Sequence, residues 1–95
     1  MKTHHDLEAW KLSINFVDKI YDLTECFPKK EIYGLSSQMQ QAAVSIASNI
    51  SEGAARHYDK EFIQFPYQSL GSTSELETQI IIASNRNYLE CKDEL

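Results

Sequence analysis

Apolar residues recur at helical intervals along most of this chain. Leu7, Trp10, Ile14, Val17 and Tyr21 alternate spacings of three and four, which predicts a helix over about residues 6–26. A second seam, Ala9, Phe16, Ile20, Leu23 and Phe27, runs beside the first. Together the seams make an apolar face too broad for one neighbour, so packing on both sides is expected. Pro28 stops the element, because its ring and missing N–H cannot continue a helix, and Lys29 and Lys30 suit the negative end of the dipole.

A second helix is expected over about residues 35–55. No charged side chain occurs from Ile32 to Ser51. Ala42, Ala43, Ser45, Ala47 and Ser48 stand there among Leu35, Met39, Val44, Ile46 and Ile50, which is the composition of a helix with neighbours all round. A third helix, over about 60–84, takes Asp59 as N-cap and presents Phe62, Leu70, Thr73, Leu76, Ile80 and Ala83 inward; Asn85 to Asn87 end it. Two residues oppose it. Pro66 about seven residues in costs about 3 kcal/mol unless the helix kinks, and Gly71 costs about 1 kcal/mol against alanine, which a close crossing of Gly71 and Ser72 on the second helix would explain. Residues 88–95 are too few for another packed helix.

Length and composition narrow the class. Ninety-five residues with 42% hydrophobic content make one domain, 1–95, which packs economically or borrows a partner's surface. Three glycines and two prolines are too few for an all-β chain, so the expected class is all-α, an up-and-down helical bundle. No apolar run reaches the length of a membrane span, and no signal-like segment opens the chain. Cys26 and Cys91 form no CxxC spacing and read as free thiols of a cytoplasmic protein.

Catalytic chemistry is not expected. No Glu-x-x-His pair, phosphate-binding glycine loop or nucleophile motif occurs, and Ser45, Ser48 and Ser72 read as small helix-contact residues. His4 with Glu8 and His57 with Glu61 share i,i+4 spacing, but two ligands each make at most a weak metal site. The sequence therefore predicts neither an enzyme, nor a metal, nor a cofactor. The net charge of −5 gives no global footprint for nucleic acid. Locally, antiparallel helices gather Lys2, His4, His5, Arg56, His57 and Lys60 at one pole, interrupted by acids, and Lys29, Lys30 and Arg86 at the other.

Several ordered pieces carry a family resemblance. Asp6-Leu7 with Trp10, Phe27-Pro28 with Glu31, Tyr33-Gly34-Leu35 with Gln38, Ala42-Ala43-Val44-Ser45-Ile46 with Asn49-Ile50 and Glu52-Gly53, then Glu61-Phe62, Gly71-Ser72 and Glu75-Leu76-Glu77 span nearly the whole chain. This succession resembles the four-helix-bundle proteins named after the intervening sequences of bacterial 23S ribosomal RNA genes. The resemblance implies a bundle that assembles as a homopentameric ring. It also implies kinship with the accessory variability protein of diversity-generating retroelements, a basic barrel that binds nucleic acid and a reverse transcriptase. The family tends to have Arg at Gln40 and Gln41, Leu at Pro66 and Ala at Ser69, and its fourth helix would follow Leu89, so that helix is expected to be missing or truncated here.

The leading expectation is thus a non-enzymatic oligomeric scaffold, a nucleic-acid accessory by resemblance. Its nucleic-acid contacts would be Lys2, Arg56, His57 and Lys60; its oligomer or bundle contacts would be Trp10, Ile14, Val17, Ser45, Asn49, Gly71 and Ser72. The alternative is a protein-interaction module that binds no nucleic acid.

Overall fold

The computed structural model describes residues 4–55 and 64–90. Among them it has three α-helices and no strand: α1 (His4–Thr24), α2 (Leu35–Ala55) and α3 (Gln64–Asn85), with a single 3-10 turn at Lys29–Glu31 before α2. The expected all-helical architecture is what the chain adopts. α2 lies between the others, packed on α1 along one flank and on α3 along the other, while α1 and α3 barely meet. Trp10 lies near Ser51 at one end of the α1–α2 pair and Tyr21 near Ser37 at the other, so these helices are antiparallel. Ser45 meets Ser72 midway, and Tyr88 beyond α3 reaches back to Glu31 before α2, so α3 reverses direction again.

Small residues on α2 set this arrangement. Ala42, Ala43 and Ala47 are buried, and their short side chains let the flanking helices approach. Met39 fills the centre with no exposed surface, among Ile20, Phe27, Leu76, Ala83 and Tyr88. The inward face of α1 runs between the two predicted seams: Ser13, Ile20 and Thr24 are buried and Val17 is half-buried. The Ser13 hydroxyl donates to the Trp10 carbonyl (2.7 Å) and the Thr24 hydroxyl to the Tyr21 carbonyl (3.0 Å), which satisfies polar groups that would otherwise make burial costly. Gln40 Nε2 donates to Thr24 Oγ1 at 2.9 Å and ties α2 to α1. The outer edges of both seams stay accessible, Trp10 and Ile14 on one side and Phe16 on the other, where Leu12, which belongs to neither seam, is exposed as well.

The helix ends follow local chemistry. α1 stops at Thr24, two residues earlier than predicted, because Cys26 N–H and Phe27 N–H turn to the carbonyls three residues back and tighten the chain ahead of Pro28. Glu31 starts α2, accepting Leu35 N–H on Oε1 at 3.1 Å. At the end of α3, Asn87 takes φ 62°, Tyr88 N–H bonds the Ala83 carbonyl and Asn87 N–H bonds the Ser84 carbonyl. This left-handed residue with paired reverse bonds closes the helix as a Schellman motif. Asparagine tolerates the left-handed region, so the predicted stop at Asn85 to Asn87 has a physical cause.

That closure aims Tyr88 at the α1–α2 connection. Its ring lies 5.3 Å from Phe27, centroid to centroid; its hydroxyl donates to Glu31 Oε2 at 2.9 Å and accepts from Arg86 Nε at 3.3 Å. The Leu35 N–H first, then the Tyr88 hydroxyl, hold the Glu31 carboxyl below its ordinary pKa. A depressed carboxylate contributes stability that is complete above its unfolded pKa and is lost as pH falls through the folded one. Glu31→Gln is therefore expected to be less stable than the parent at neutral pH, with the difference shrinking in acid. Urea midpoints measured down the acid limb check this, and parallel limbs would refute it.

Four expectations need correction or lie elsewhere. Cys26 is disulfide-bonded, not a free thiol; the other cysteine, Cys91, lies outside the described residues. Sequence spacing says nothing of spatial approach, and the Phe27–Tyr88 contact draws residues far apart in the chain together. This removes the thiol argument for a cytoplasmic location, since disulfides are rare in reducing compartments. Pro66 lies within α3, which runs as helix from Gln64 to Asn85, and residues 56–63 ahead of it lie outside the described residues. Thr73 is exposed, not inward; buried Gln79 takes a place on that face that the apolar pattern did not mark. The Asp59 cap and the Phe62 and Leu70 side chains lie outside the described residues.

Candidate interaction surfaces

The α1–α2 pair leaves an open groove on its outer side. Trp10, Ile14 and Val17 from α1 face Val44, Ala47 and Ser48 from α2 across a depression of about 380 Å³. A second depression, about 560 Å³, extends it past Val44 toward Tyr21, Ser37 and Gln41. Trp10 and Ile14 are each 36% exposed and Val44 41%, a cost in hydration that folding of a lone chain does not remove. The floor and the α2 wall carry no charge until Glu52, so the charge-free run from Ile32 to Ser51 is surrounded on its inner side only. Gln38, Gln41, Val44 and Ser48 are exposed. Depletion of charge with retained aromatic and aliphatic surface is the composition of a buried contact patch.

The other predicted contact residues divide by depth. Ser45 and Ser72 share a hydrogen bond at 2.9 Å, and Asn49 Nδ2 donates to Ser45 Oγ at 3.3 Å, so these three belong to the α2–α3 crossing inside the chain. Gly71 differs from expectation. It is exposed, and a Cβ built there meets no atom within 4 Å, so no close crossing within the chain requires glycine. None of the described glycines has a positive φ. Gly71→Ala is accordingly expected to stabilise the fold by about 0.5–1 kcal/mol, read as a rise in melting temperature.

Of the predicted nucleic-acid contacts, Lys2, Arg56, His57 and Lys60 all lie outside the described residues. At that pole His4 Nε2 stands 4.0 Å from Glu8 Oε2, both well exposed, a surface pair of little energetic weight. At the other pole Lys29 and Lys30 are exposed beside Ile32 and Tyr33, the latter 96% exposed and packed on nothing. Arg86 is engaged there by Tyr88, 5.9 Å from its ring centroid. Gln40 donates across to Thr24 on α1, and Gln41 donates within α2 to Ser37. Among the described residues no group of three His, Cys, Asp or Glu side chains converges as a metal site, and no helix is long and apolar enough to cross a membrane.

Comparison with known proteins gives one family. The chain matches the description "23S rRNA-intervening sequence protein" over residues 5–94. No curated protein matches it.

Proposed function

The chain belongs to the 23S rRNA-intervening sequence protein family, and from that premise we propose that it works without catalysis as an oligomeric helical bundle, a homopentamer serving as an accessory or scaffold for RNA or DNA in a bacterial cytoplasm. The open α1–α2 groove carries the oligomeric part: its Trp10, Ile14 and Val44 surface gains from association what folding leaves exposed. Support for the nucleic-acid part comes from the turn before α2. Exposed lysines next to a free tyrosine ring offer phosphate contact and base stacking together. The disulfide at Cys26 is the observation that pulls against the cytoplasm, and thiol labelling of protein extracted under alkylating conditions tests that point.

Sedimentation velocity across the micromolar range tests the assembly: a species several times the 10.9 kDa chain is expected, and a monomer throughout would sink the oligomer. Fluorescence anisotropy with a mixed-sequence single-stranded RNA tests the ligand. Binding at low salt that weakens as salt rises is expected, because released counterions drive phosphate contacts. An assembled protein that binds no RNA or DNA at low salt would instead be the protein-interaction module, with the same groove as its working surface.

A further inference from the structure

The turn after α1 carries a covalent bond that helix packing does not require. Cys26 is half-buried and disulfide-bonded, and the chain has one other cysteine, Cys91, which lies outside the described residues. No cysteine among the described residues is free. The chain beyond α3 comes to the same place. Tyr88, three positions before Cys91, sets its ring 5.3 Å from that of Phe27, centroid to centroid, and its hydroxyl donates to Glu31 Oε2 at 2.9 Å. Three residues of chain reach at most about 10 Å, and a disulfide needs its Cα atoms within roughly 7 Å of each other. With Tyr88 seated on Phe27, the two cysteines are within bonding reach.

We propose that Cys26 and Cys91 form a reversible redox latch, which when oxidised holds the acidic stretch 90–94 beside the Lys29–Lys30 turn and when reduced yields that turn to nucleic acid. The proposal rests on the nucleic-acid reading above and adds its control. Glu90, Asp93 and Glu94 outnumber Lys92 in the stretch, and all stand within three positions of Cys91. Lys29 and Lys30 follow Cys26 by three and four positions, and both are exposed, as is Tyr33. A closed bond makes the carboxylates an intramolecular competitor for the lysine ammonium groups, at an effective concentration on the order of millimolar for so short a tether. Opening takes a thiol reductant of the glutathione class. One thiolate attacks the bond, forms a mixed disulfide and expels the other cysteine as a thiolate; a second thiolate attacks the mixed disulfide and leaves with the first as the small disulfide. Two electrons and two protons pass to the protein, which ends with two thiols. A bond used in this way fits a reducing compartment, where disulfides are transient and redox-sensing.

Peptide mapping and RNA binding of the full chain in both redox states test it. Digestion without reductant is expected to give one linked Cys26–Cys91 fragment from a chain that runs as a single copy when denatured; a bond between two copies, or no bond, overturns the latch. In fluorescence anisotropy at low salt with a mixed-sequence single-stranded RNA, the oxidised protein is expected to bind about tenfold more weakly than the protein reduced with dithiothreitol. Cys91→Ser is expected to bind like the reduced parent with or without dithiothreitol, and the reduced parent itself serves should that variant misfold. A triple variant, Glu90→Gln with Asp93→Asn and Glu94→Gln, keeps the bond and is expected to bind when oxidised as the reduced parent does; a triple variant still blocked overturns the carboxylates as competitors. Equal RNA binding by oxidised and reduced parent overturns the latch while the nucleic-acid reading stands. Binding by neither form removes the nucleic-acid reading, and its control with it.

Discussion

Met39→Ala is expected to lower the stability of the fold by about 2–5 kcal/mol, the range for truncating a buried methionine when the surroundings cannot collapse into the space. Met39 has no exposed surface and touches the packing of all three helices through Ile20, Ala43, Leu76 and Ala83. A small domain holds only about 5–15 kcal/mol in total, so the loss is a large share of the whole. Urea denaturation followed by circular dichroism measures it, at concentrations where association does not change between the two proteins. A flexible leucine replacement, Met39→Leu, should cost less than about 1.5 kcal/mol because the volume is kept. Equal losses for Ala and Leu would show that Met39 is not the packing centre.

The second large effect concerns assembly. Trp10→Ala is expected to weaken self-association by about 2–4 kcal/mol, roughly 30-fold to 1,000-fold in dissociation constant, as truncation of an aromatic anchor that association buries does. Stability of the individual chain should change far less, because Trp10 is at the rim of the groove and over a third exposed. Concentration-dependent sedimentation separates the two quantities. A variant that remains assembled at dilutions where the parent dissociates would remove Trp10, and with it the groove, from the contact. Loss of RNA binding along with assembly would show that the lysine and tyrosine turns act only when several copies present them together.

Much of the fold was legible in local pattern. The three-and-four spacing on α1, the charge-free α2 and the Leu76, Ile80, Ala83 stripe on α3 mark helices because a 3.6-residue period puts those positions on one side. The C-terminal stop of α3 was readable too, since asparagine accepts the left-handed backbone that the closing turn needs. The candidate surfaces were less so. Trp10, Ile14 and Val17 stood out as apolar, yet apolarity does not distinguish a residue that faces its own core from one that faces another chain. Buried Ser13, Thr24 and Gln79 were invisible for the converse reason: hydroxyl bonds to the preceding turn let Ser13 and Thr24 enter the interior, while Gln79 enters it with its amide N–H on Glu75 and its Oε1 buried with no partner among the described residues.

The sequence by itself determined the class, the family and the order of helices, because periodicity, caps and a few ordered motifs are properties of neighbours along the chain. The tertiary structure alone decided which edge of each apolar stripe is covered. It bonded Ser45 to Ser72 across the α2–α3 crossing, turned Gly71 and Ile81 outward, and set Tyr88 on Glu31 across 57 positions of chain. Those outcomes depend on how far a helix rotates about its axis when the alanines of α2 let its neighbours close in. Such a rotation is fixed by packing of all three helices at once, and no stretch of sequence contains it.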